Sequence, residues 1–113
     1  ITATNVFNKV PTWLGFAQTP QALTGAGTAD VTSAITNCTS SAAGQVVTLG
    51  TGIQRHMKNI CHIALSNSGT VVLTPPALDG GSTVTLNAVG DSVVLLWNDA
   101  AWIVIGGNSA VVA

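Results

Sequence analysis

The sequence contains no glutamate and no tyrosine, and only 6% of its 113 residues are Asp, Lys or Arg. A monomer of this mass exposes roughly 5,700 Å², which leaves each charge about 800 Å² of surface to solvate. Ordinary soluble surfaces are far richer in charge. The three cations, Lys9, Arg55 and Lys58, are too few to line a groove for a phosphate backbone, and the net charge is −1 with a pI near 6.0, so nucleic-acid binding is not expected. Long apolar runs are also lacking. None reaches the length at which a helix crosses a bilayer, and Ile1-Thr2-Ala3-Thr4 lacks the charged start and apolar centre of a signal peptide. Only two cysteines occur, Cys38 and Cys61, far too few for a disulfide-built scaffold and not spaced as a CxxC pair. Free thiols are expected, with a single bridge as the alternative.

What is present in quantity is Val, Ile, Thr, Ala and Gly, with a mean hydropathy of +0.52. The most informative stretch runs from Gly90 to Gly107. Val93 to Trp97 and Trp102 to Ile105 are apolar without a break, and Asn98-Asp99 between them suits a tight hairpin turn. A strand with one wet face alternates apolar with polar residues, so an unbroken run predicts that both faces of this hairpin leave water. Upstream, Gln45 to Leu49, Ile60 to Leu65, Thr70 to Thr74 and Ser82 to Asn87 read as further strands. Ser66-Asn67-Ser68-Gly69 predicts that Ile60–Leu65 and Thr70–Thr74 form a second hairpin, and Pro75-Pro76 ends the latter strand. Ser82 to Asn87 alternates, placing Val84 and Leu86 inward. Thr28 to Thr39 reads as one or two strands, and 108–113 as a last short one.

Seven to nine short strands at about ten-residue spacing, with no amphipathic helix, predict an all-β fold: an antiparallel β-sandwich, or a β-tulip or jelly-roll-like module. The domain is expected over residues 25–113. Residues 1–24 carry Pro11, Pro20 and Gly15, show no sustained period, and predict an extended N-terminal arm. The apolar side chains Val6, Phe7, Trp13, Leu14 and Phe16 are too many for a solvated linker, so the arm is expected to dock, on its own sandwich or on a neighbouring subunit.

Catalytic constellations are weak. In an extended strand Cys61 and His62 point to opposite faces, so with His56 they do not readily share one metal ion, and no metal or other cofactor is expected. Asp30, Asp79, Asp91 and Asp99 each stand at a predicted turn or strand end, where Asp caps the backbone rather than pairing for acid and base work. No Gly-x-Ser-x-Gly elbow surrounds a serine, and Gly25-Ala26-Gly27 lacks the Lys and helix of a phosphate loop. Trp97 and Trp102, embedded in continuous apolar strands, are expected as core or interface anchors, with sugar stacking as the alternative; Leu96 and Val104 join them as core or subunit contacts.

From Ile53 onward the chain resembles a family of small β-rich virion structural proteins of tailed, marine-type bacteriophages, serving as capsid decoration (cement) or fibre modules. The likeness is carried by Lys58-Asn59-Ile60, Leu73-Thr74-Pro75, Gly80-Gly81, Thr83-Val84-Thr85, Gly90-Asp91-Ser92-Val93, Leu95-Leu96-Trp97 and Trp102-Ile103-Val104-Ile105-Gly106-Gly107-Asn108, with Ala22-Leu23-Thr24-Gly25-Ala26-Gly27 upstream. It extends over roughly Leu23 to Ala113 and leaves the arm unmatched. The resemblance implies a non-enzymatic homotrimer on the virion's capsid surface, assembled in the host cytoplasm and contacting the major capsid protein or other virion proteins, with no membrane partner. The alternative it implies is a receptor- or glycan-binding module of a tail or capsid fibre.

Overall fold

The computed structural model describes residues 19–41, 44–53, 55–65 and 69–113. Ten strands and no helix occur among them: β1 (Gln21–Thr24), β2 (Gly27–Ala29), β3 (Ile35–Ser40), β4 (Gln45–Leu49), β5 (Met57–Leu65), β6 (Val71–Thr74), β7 (Val84–Leu86), β8 (Ser92–Trp97), β9 (Trp102–Asn108) and β10 (Val111–Val112). They form two five-stranded sheets, the first in the order β1-β3-β5-β8-β9 and the second in the order β10-β7-β6-β4-β2. The fold is therefore all-β, as the strand spacing predicts. The arm residues Val6, Phe7, Trp13, Leu14 and Phe16 lie outside the described residues. The last four residues of the expected arm, Gln21–Thr24, form β1 against β3.

The expectation of a purely antiparallel arrangement is corrected. From β1 to β6 the chain changes sheet at every step, so each strand pairs with the one two earlier and runs the same way: β1 with β3, β3 with β5, β2 with β4, and β4 with β6 are all parallel. A parallel pair needs a return path, and here the intervening strand in the opposite sheet supplies it in place of a crossover helix. The chain thus winds as a flattened coil. Antiparallel pairing begins only with β7 beside β6, β8 beside β5, β9 beside β8 and β10 beside β7. The second hairpin expected from Ile60–Leu65 and Thr70–Thr74 is overturned for the same reason, because β5 and β6 belong to different sheets.

Inward-facing residues of both sheets form one core. Cys38, Ile60, Val93, Leu95, Trp97 and Trp102 come from the first, and Ala29, Val47, Leu49, Val71, Leu73, Val84 and Leu86 from the second. Full burial of each Val or Leu side chain contributes about 1.5–3 kcal/mol. The exposed Arg55–Asp99 pair, 3.8 Å apart, adds little by comparison, so apolar burial holds the sheets together.

The hairpin of β8 and β9 has the predicted turn. Asn98 Oδ1 accepts the backbone N–H groups of Ala100 and Ala101 at 3.0 and 2.7 Å, and Asp99 takes a left-handed φ of 73°. Further along, the register shifts after Val94, leaving Ile105 as a bulge before Gly106 pairs with Val94. Gly107, at φ 139°, sits so close to β8 that an added Cβ would lie 2.3 Å from the Ser92 carbonyl oxygen.

Candidate functional site

Away from the register shifts at Ile63 of β5 and Ile105 of β9, alternation assigns the described strand residues to an inner or an outer face, and the two outer faces differ in chemistry. On the first sheet Met57, Asn59 and Cys61 of β5 lie opposite Leu96, Val94 and Ser92 of β8, while Leu96 lies opposite Ile103 of β9 and Asn59 opposite Ile35 of β3. Met57 is 53% exposed, and the bulged Ile63 and Ile105 are each 49% exposed. Val94, Leu96, Ile103 and Ile35 are half-buried beside them. On the second sheet Val46, Val72, Thr85 and Val111 form one row and Thr28, Thr48 and Thr74 another. Thr28 and Thr48 share a hydroxyl–hydroxyl hydrogen bond of 2.7 Å. Among the described residues, Lys58 is the only charged residue in any strand, and it points inward.

The residues expected as core or subunit contacts separate into two groups. Trp97 and Trp102 face the core and pack edge to face, their ring centroids 5.4 Å apart. The 50–53 loop covers them: Trp102 Nε1–H donates to the Gly50 carbonyl at 2.9 Å, and a Cβ on Gly52 would fall 2.2 Å from Trp97 Cγ. Neither indole is a platform for a sugar. Val104 packs partly against the same core, whereas Leu96 lies on the outer face.

The interior also holds polar groups that the sequence reading left on loops or faces. Lys58 is fully buried, and its Nζ donates to the Ser33 carbonyl at 2.7 Å and to Asp30 Oδ1 at 3.5 Å. Asp30 in turn accepts the Ser33 N–H at 2.8 Å, and Gln21 Oε1 accepts both the Asp30 N–H and the Thr36 hydroxyl. This network ties the 30–34 loop to β1, β3 and β5. Burial lowers the Lys58 pKa while the Asp30 charge opposes that fall. The backbone hydrogen bond from Ser33 is the largest influence holding the Asp30 carboxyl below its ordinary value, with partial burial acting against it. At the other end of β5, His62 is fully buried with Nε2 3.0 Å from Ser40 Oγ, and its Nδ1 has no partner among the described residues.

The remaining candidates behave as capping and packing groups. Asp91 Oδ2 accepts the N–H groups of Asn87 and Ala88 at 2.9 and 3.0 Å, the backbone role expected of it. Both cysteines are free thiols; Cys38 faces the core and Cys61 the outer face, and burial pushes the Cys38 thiol up to about 11. Among the described residues no three His, Cys, Asp or Glu side chains converge, and Cys61 and His62 point to opposite faces of β5 as alternation requires. The outer-face residues Met57, Ile103, Val94 and Ile35 were not singled out by the sequence reading. The signal for some of them was the unbroken run of β8 and β9, while the contribution of β5 depends on a register that only the folded chain reveals. Comparison of the chain with family models, with curated proteins and with solved structures returned no match.

Proposed function

We propose that this chain is a non-enzymatic virion structural protein, a homotrimeric capsid decoration (cement) protein of a tailed bacteriophage, built as a two-sheet sandwich module with an N-terminal arm. The observation that carries the reading is the absence of charge from the outward side of every described strand in both sheets, combined with the half-exposed Met57, Ile63 and Ile105. A surface of that kind is stable in water when other copies or a larger lattice cover it. The phage assignment rests on the sequence resemblance from Leu23 to Ala113. In this reading the module acts mechanically, adding contact area between subunits and with the major capsid protein. The receptor- or glycan-binding alternative would need an aromatic platform, and Trp97 and Trp102 are enclosed by the core and the 50–53 loop.

The test is the mass of the purified chain in solution, followed by imaging of particles that carry it. Sedimentation is expected to give the mass of three copies, and imaging is expected to find the chain at regular positions on the shell. A stable single chain at every concentration overturns the oligomer, and a location at fibre tips favours the alternative.

A further inference from the structure

We infer that the surface joining one copy of this chain to the next is the outer face of the first sheet, centred on Met57, Val94, Leu96 and Ile103, and that the occupant of that face is the same face of the neighbouring copies, the three faces meeting at the threefold axis of the proposed trimer. The inference rests on the oligomeric reading above and assigns its geometry. The two outer faces are equally free of charge, so charge does not choose between them. Side-chain size does. The second sheet intersperses its exposed Val46 and Val111 with Thr28, Thr48, Thr74 and Thr85, whose hydroxyls keep water on the face. The first sheet concentrates long apolar side chains from three adjacent strands: Met57 of β5 lies opposite Leu96 of β8, and Leu96 opposite Ile103 of β9.

Three arguments identify the occupant as another copy. A partner bearing Asp, Glu, Lys or Arg at the contact would bury an unpaired charge against this face, at a cost that breaks most interfaces. A copy of the same face brings none. The polar groups that interrupt the apolar block, Asn37, Asn59 and Ser92, carry both donors and acceptors, so copies of the face meeting at one axis can satisfy them without foreign chemistry. The dimensions also fit. Five strands at about 4.8 Å and six or seven residues at about 3.3 Å span on the order of 500 Å² in projection, and side-chain relief raises the accessible area. That approaches the roughly 800 Å² per partner of a stable association.

The test uses the full chain with single substitutions on either face, read by sedimentation. Met57→Lys and Ile103→Lys on the first sheet are expected to weaken association by roughly 10- to 100-fold, while Met57→Leu retains it. Val46→Lys and Thr48→Lys on the second sheet are expected to leave it unchanged. The shielded emission of Trp97 and Trp102 reports in each variant that the core is intact. Cys61, on the proposed contact, provides an independent readout: a thiol reagent is expected to label it faster in the Met57→Lys variant than in the wild-type assembly. If the wild type associates but only the second-sheet variants disperse it, this assignment fails and the oligomeric reading stands. If the wild type remains a single chain, with its own first residues or nothing covering the face, both fail.

Discussion

His56 shows how one residue sets a pH limit on the fold. Its backbone carbonyl accepts the Trp97 N–H at 3.0 Å, and its Nδ1 is enclosed without a partner among the described residues. Burial, and secondarily the Lys58 charge, hold the His56 pKa below its ordinary 6.5, with Asp30 acting in the opposite direction. In the unfolded chain the imidazole takes up its proton near the ordinary value, and in the folded chain only at lower pH. The unfolded state therefore binds more protons below about pH 6.5, and the stability that depends on a neutral His56 falls as the pH drops from there toward the lowered folded value. Urea midpoints are expected to decline between pH 7 and pH 5, and His56→Asn is expected to flatten that part of the curve. A second decline belongs to Asp30, whose folded pKa is also lowered; its contribution is complete above 3.8 and is lost at more acid pH. The burial of Lys58 was not legible, because a lysine preceding a strand ordinarily faces solvent. Only the pairing with Asp30 and Ser33, separated from it by a whole circuit of the chain, accounts for its position.

At the scale of elements, the β8–β9 hairpin was readable and the supposed β5–β6 hairpin was not, for a reason in the chemistry of turns. The Asn98 side chain makes its turn hydrogen bonds within three residues, so the sequence there contains that whole interaction. Asn98→Ala removes the acceptor of two backbone N–H groups and is expected to cost about 1–2 kcal/mol, seen as a lower thermal midpoint with unchanged association. The Ser66-Asn67-Ser68-Gly69 link has a similarly polar composition. Composition of that kind says that the chain reverses but not whether it returns to its own sheet or enters the opposite one. The choice is made by which strand already lies alongside: β3 beside β5, and β4 beside β6. The inward positions of Val84 and Leu86, by contrast, follow from alternation alone and needed no knowledge of the partner.

For the molecule as a whole, the scarcity of charge made outer sheet faces without charged side chains legible before any strand was placed, yet the extent of the apolar block came from register. Met57 reads as part of a polar, positively charged segment until β5 sets it opposite Leu96. A contact surface without ions should respond to solvent in a characteristic way. Raising the salt concentration is expected to leave the assembly intact or tighten it, since no ion pairs are screened and apolar association is strengthened; sedimentation at low and high salt checks this, and dissociation by salt would point to a charged interface instead. The alternation of β1 to β6 between layers has one more consequence. Every two strands lay one course on each wall, resting on the course before, while the hairpin and the final strand close the structure at a single end. Height is thus decoupled from the closing architecture: a lineage could raise or lower this building by whole courses and keep the same roof.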